Sequence, residues 1–187
     1  TAVASLKDTM ARAERDGGKD PGKNLFMAER YAEAGSWLTS ALNSLGRSAE
    51  AVQIGRDARQ VAEAVLEIRP GNFPALYSLG LLEGSLGAAA VEDLRPADAL
   101  PLYARATGVY TTVSRLDPGN RTYANNRASQ YGELSRALWS LGRLEEASQA
   151  LGVAADATTT VDEGAPTLFL NRLWTVFDLA GQFAERG

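Results

Sequence analysis

Residues 117–147 read DPGNRTYANNRASQYGELSRALWSLGRLEEA: a Pro-Gly turn, a long stretch with helical spacing, a Leu-Gly-Arg turn and the start of another helix. Proline cannot continue a helix, and glycine takes backbone angles that other residues resist, so Pro118-Gly119 separates two helices. Asn120 behind them is a good N-cap, because its side-chain oxygen can accept one of the free N–H groups of the next helix. Leu134, Leu138 and Leu141 then follow at steps of four and three, which places them on one helix face.

Pieces of this stretch recur at an interval of 48 residues. Asn24, Asn72 and Asn120 each close a Pro-Gly turn, in PGKN, PGN and PGN. Gly46 in LGRSAEA and Gly142 in LGRLEEA lie 96 apart, and between them Asp98-Ala99 of LRPADAL matches Glu50-Ala51 and Glu146-Ala147. Small and apolar positions run Ala51, Ile54, Ala58, Ala62, Val65, Ile68 in one helix and Ala99, Leu102, Ala106, Tyr110, Val113, Leu116 in a later one. Leu38, Leu42 and Leu45 match Leu134, Leu138 and Leu141. Helices are expected over 2–15, 25–45, 48–69, 73–90, 96–116, 121–141, 144–161 and 167–185. One region departs from the pattern: LGAAAVEDLRPADALP stands where the tight turn belongs. Pro96 suits a first helical turn, whereas Pro101 is expected to kink or restart its helix. The departure reads as an irregularity of the repeat in preference to a hinge.

The bulk composition narrows the function. The chain has 187 residues, 45% of them hydrophobic, a net charge of −4 and a pI near 5.0. Its 19 basic residues are scattered among 23 acidic ones with no basic stripe, which argues against nucleic acid as the main partner. Without histidine or cysteine, the commonest general base and the thiolate metal ligands are missing, and disulfides are excluded. No apolar run approaches the ~18 residues of a membrane span, and membrane insertion is not expected. The first residues lack the apolar middle of a signal peptide. A chain that opens on Thr1 is expected to be a segment of a longer protein.

No catalytic set emerges. The acidic pairs Glu145-Glu146 and Asp162-Glu163 are adjacent in sequence, and adjacent residues do not share a helix face. EGSLGAAA lacks the lysine and hydroxyl of a phosphate-binding loop. No enzyme activity, cofactor or metal is expected. Trp37, Trp139 and Trp174 sit beside leucines at helical spacing and suit the core, with Trp37 the expected exception. The amides of Asn125-Asn126 can either read a peptide backbone or stay solvated.

As a set, these positions resemble the tetratricopeptide repeat family. The matching residues are Ala32, Gly80 and Ala128 in first helices, Ala51, Ala99 and Ala147 early in second helices, Ala58, Ala106 and Ala154 two turns later, and the closing Pro70, Pro118 and Pro166. The family's period is about 34 residues. The extra 14 divide as about seven per helix, close to two turns and roughly 10 Å, so the apolar face stays in phase. The resemblance implies an all-α superhelical solenoid of antiparallel pairs over 1–187, with half a repeat at 1–21, repeats at 22–70, 71–118 and 119–166, and a final half at 167–187. It implies a non-catalytic protein or peptide scaffold, part of a larger bacterial signalling protein, which binds along the concave surface. The family's groove positions fall on Glu29, Glu33 and Trp37, on Tyr77, Leu81 and Ser85, and on Asn125, Ser129 and Glu133. Family members that grip a peptide's terminal carboxylate place cationic residues there. Glu29 and Glu33 have the opposite sign and suit a neutral or basic extended peptide instead.

The final stretch, LFLNRLWTVFDLAGQF, is apolar on nearly every side where a solenoid normally ends in a polar cap. Three readings fit it: further repeats continue beyond it, a partner docks on it, or the chain self-associates there, and the last supports an alternative function, an oligomerisation module that self-associates through Leu170, Trp174 and Phe177. On that reading, sedimentation of the chain gives a dimer that Trp174→Glu converts to monomer. A wild-type chain that stays monomeric at high concentration excludes it.

Overall fold

A computed structural model of the chain describes residues 2–159. Seven helices account for most of them: α1 (Ala2–Arg15), α2 (Leu25–Ser44), α3 (Ser48–Ile68), α4 (Phe73–Glu92), α5 (Pro96–Leu116), α6 (Arg121–Ser140) and α7 (Leu144–Thr159). Among the described residues there is no strand. The eighth expected helix, with Leu170, Trp174 and Phe177, lies outside them. Helices α2 to α6 are 20, 21, 20, 21 and 20 residues long, so each spans about 30 Å.

The N-termini form as the Pro-Gly-Asn chemistry demands. The Asn24 side chain accepts from the Met27 N–H at 3.2 Å, Asn72 from Ala75 at 3.0 Å and Asn120 from Thr122 at 3.1 Å. The opposite ends close with one hydrogen-bond pattern. Arg47 N–H reaches Leu42 O at 2.9 Å and Gly46 N–H reaches Asn43 O at 2.9 Å, and Arg143 to Leu138 and Gly142 to Trp139 repeat this at 3.0 and 2.9 Å. Both glycines are left-handed, with φ +68° and +74°. These are the paired bonds of a Schellman cap.

The middle turn corrects the sequence reading. The tight turn is kept there too: Arg95 N–H bonds Ala90 O and Leu94 N–H bonds Val91 O, both at 2.9 Å. Leu94, 48 residues from each glycine, takes the left-handed position with φ +59° and is 88% exposed. Helix α4 therefore continues to Glu92, past its expected end at residue 90. Nor does Pro101 restart a helix, since α5 runs unbroken through it from Pro96 to Leu116. Pro101 lies in the second turn of α5, where its missing N–H leaves a single carbonyl, that of Ala97, without its helical donor.

Two compact units result, Thr1–Arg95 and one that begins at Pro96. In the first, α2 packs against α1, α3 and α4, and α3 also packs against α4. The interface of α2 and α3 is built from small residues. Ala32, Ala51, Ala58 and Ala62 are fully buried, and a Cβ added to Gly35 would lie 2.4 Å from the Cβ of Ala58. Leu38, Leu42, Val65 and Leu82 fill the space around them. Lys7 of α1 pairs with Glu50 of α3, and this hydrogen bond, helped by Arg47, holds the Glu50 carboxyl below its ordinary pKa. In the second unit, α6 packs against α5 and α7. Ala99, Tyr103, Ala106, Tyr110 and Val113 of α5 are buried there, as are Ala128, Leu138 and Trp139 of α6 and Ala147 and Ala154 of α7. The Ser135 hydroxyl donates to Ala147 O at 2.7 Å and pins α6 to α7.

The apolar spacing overreaches at helix ends. Leu45 and Leu141 are C-caps and not core residues, and with Ile68 and Leu116 they are exposed. All four stand at the last position of a helix or one residue past it, where the chain leaves the packed face.

A non-glycine residue in left-handed geometry costs about 1–2 kcal/mol through the contact of its Cβ with the following carbonyl. Leu94→Gly, which removes an exposed side chain from such a position, is expected to raise unfolding stability by about 1 kcal/mol in urea titration. A loss of stability would show that the Leu94 side chain makes a contact worth more than its strain.

Candidate functional site

Helix α2 carries four residues on one stripe, Phe26, Arg30, Glu33 and Trp37, at steps of four, three and four. Tyr77 and Leu81 lie one turn apart on α4, which packs beside α2. The two helices bring Trp37 and Tyr77 together, with ring centroids 6.4 Å apart and planes inclined at 48°. The separation lies within the range of about 4.5–7 Å over which aromatic pairs interact, in an arrangement between stacked and edge-to-face. Trp37 remains 44% exposed, while Tyr77 and Leu81 are half-buried. Trp139, by contrast, is in the core with Leu138, Ala147 and Ala150, and Tyr131 and Leu134 pack against that cluster. Trp174 lies outside the described residues.

The carboxylates beside this aromatic pair are engaged. Glu29 accepts from the Asn72 side-chain amide at 2.6 Å, so the residue that caps α4 also ties α4 to α2. Glu33 accepts from Arg30 at 2.9 Å, and the Arg30 guanidinium lies 5.4 Å from the centre of the Phe26 ring. Ser85 contributes its carbonyl, which accepts from the Asn43 amide at 2.7 Å. The other positions that the resemblance assigns to a binding face, Asn125, Ser129 and Glu133, lie on α6 of the second unit. Asn125 is half-buried, Ser129 is exposed and Glu133 pairs with Arg136.

Several features escaped the sequence reading. Glu83 of α4 is completely buried, with the Arg59 guanidinium of α3 3.8 Å away. The signal was available, since Glu83 is the only charge between Phe73 and Val91. Tyr31 of α2 is buried beneath the Lys19 ammonium, which lies 5.5 Å from its ring centre. Burial pushes the Tyr31 hydroxyl above its ordinary pKa despite Lys19, and the hydrogen bond to Glu14 raises Lys19. An open polar cleft of about 260 Å³ beside them is lined by Lys19, Asp57, Gln60, Val61 and Ala64. Its volume is below the usual range for small-molecule sites.

The acidic pair Glu145-Glu146 sits in the first turn of α7. There Glu146 takes two hydrogen bonds from Arg143, at 2.6 and 2.7 Å, which hold its carboxyl below the ordinary value. Among the described residues no group of three or more acidic side chains is placed to hold a metal ion, and no helix is long and apolar enough to cross a membrane. No known protein family, curated protein or solved structure matches the chain.

The contrast between the two tryptophans has a measurable consequence. Trp139→Ala empties a packed site and is expected to cost about 3–5 kcal/mol of unfolding stability. Trp37→Ala is expected to cost less than half as much, because its ring is partly in water. Equal losses in chemical denaturation would place Trp37 among the packing residues.

Proposed function

We propose that the chain is a non-catalytic interaction scaffold, a tetratricopeptide-like solenoid of elongated hairpins that binds an extended peptide of a partner protein on the faces of its first helices. The observation that carries this reading is the Trp37–Tyr77 pair, a large apolar surface on α2 and α4 that their packing leaves partly open to water. Aromatic side chains that keep one face exposed supply much of the energy of protein recognition, because they bury a large area at little conformational cost. Leu81 beside Tyr77 extends the apolar surface along α4, and along α2 it is bordered by the Glu29 carboxylate, held only by a neutral amide, and by Glu33, which shares its charge with Arg30. Such a border favours a neutral or basic peptide and disfavours an acidic tail. In the second unit, Asn125, Ser129 and Glu133 of α6 carry amide, hydroxyl and carboxylate groups suited to a peptide backbone. The repeated caps at Asn24, Asn72 and Asn120 and the buried alanines at the family's positions support the tetratricopeptide-like architecture. Membership of a larger signalling protein rests on that resemblance alone.

A peptide library screened against the wild-type chain and against a Trp37→Ala/Tyr77→Ala variant tests the proposal. Selected peptides are expected to bind the variant about tenfold or more weakly, since interface aromatics contribute 1–2 kcal/mol or more each. Peptides that bind both chains equally would move the binding face elsewhere.

A further inference from the structure

On the α2 stripe, Glu33 stands between two aromatic residues, Phe26 and Trp37. On the N-terminal side a guanidinium is already in place: Arg30 lies over the Phe26 ring at 5.4 Å and donates to Glu33 at 2.9 Å. On the other side, one turn from Glu33, Trp37 offers a larger and more electron-rich ring with 44% of its surface in water. The stripe thus holds two aromatic faces and one carboxylate between them, and it supplies one cation of its own.

We infer that Glu33 and Trp37 form a subsite for an arginine side chain of the partner, and that Arg30 competes for the same carboxylate in cis. The inference rests on the peptide-binding role of this face. Arginine fits better than lysine, because a planar guanidinium stacks on an indole while its edge donates to a carboxylate, and a compact ammonium does not do both. The internal pair is easily exchanged. Both Arg30 and Glu33 keep about half their side-chain surface in water, 55% and 45%, and an exposed ion pair biases an equilibrium by about fivefold or less. Arg30 therefore weakens the subsite without closing it, and a partner arginine that brings adjacent contacts displaces it.

The Trp37 indole N–H resonance reports the subsite directly, with acetyl-arginine-amide as probe and acetyl-citrulline-amide and acetyl-lysine-amide as controls. The arginine probe is expected to shift that resonance saturably, the citrulline probe to leave it unmoved and the lysine probe to bind more weakly. Arg30→Gln is expected to tighten the arginine probe by about two- to fivefold, and Glu33→Gln to weaken it by about threefold or more. Both substitutions are on exposed side chains, and unchanged thermal unfolding verifies that each variant is folded. A Trp37 resonance that ignores the arginine probe, or an affinity indifferent to Arg30→Gln, overturns the inference. Library peptides that need Trp37 but are indifferent to arginine would overturn the subsite and leave the peptide scaffold standing. An arginine response without any Trp37-dependent library peptide would do the reverse.

Discussion

The close approach of α2 to α3 is the constraint on which the first unit depends. At Gly35 the two helices leave no room for a methyl group, since its Cβ would fall 2.4 Å from that of Ala58. Ala32, Ala51 and Ala58 share this tight interface and are fully buried. Alanine removes little apolar area per residue, so an interface of this kind gains from close dispersion contacts spread over a long line. Helices of 20 and 21 residues provide that line. The larger residues Leu38, Leu42 and Val65 then pack to either side of the seam. The second unit also buries alanines, Ala128, Ala147 and Ala154, and adds the Ser135 hydroxyl bond between α6 and α7.

The turns show that hydrogen bonding, and not the identity of one residue, specifies the hairpin end. Gly46, Leu94 and Gly142 hold the same left-handed conformation at intervals of 48 residues, and the arginine after each bonds back to the helix it leaves. Glycine adopts that conformation freely, whereas leucine does so against its own Cβ. The two cap bonds, each worth about 0.5–1.5 kcal/mol, are enough to hold it there.

This difference also explains what could be read from the sequence. The Pro-Gly-Asn and Leu-Gly-Arg turns are local chemistry, and each helix border near them fell within about two residues of its place. Leu94 carries no such signature, so its turn reads in the sequence as an irregularity. Pro101 does not break its helix because its cost falls on one carbonyl, while the rest of α5 is anchored by buried Ala99, Tyr103 and Ala106. The candidate surface was legible only as positions. The family resemblance assigns Trp37 and Tyr77 to successive first helices, but their ring contact, the double duty of Asn72 as cap and tie to Glu29, and the stacking of Arg30 on Phe26 depend on side-chain directions that no periodicity encodes.

The register of the repeat bears on why Trp37 is where it is. Counting forward by 48 from Trp37 leads to Ser85 and then Glu133, both of them polar and neither fully buried. Counting back and forward from Tyr77 leads to Glu29 and Asn125, and from Leu81 to Glu33 and Ser129. At these register positions the chain otherwise carries carboxylate, amide and hydroxyl groups, and none of them requires an aromatic residue for packing. The aromatic rings at 37 and 77, and the leucine at 81, are departures from a polar register, gathered on the adjacent helices α2 and α4 of one unit. A large apolar side chain held partly in water gains little for folding compared with the same residue in the core, as at Trp139. Its placement at a position that tolerates serine and glutamate elsewhere in the chain makes sense as a surface for something outside the fold.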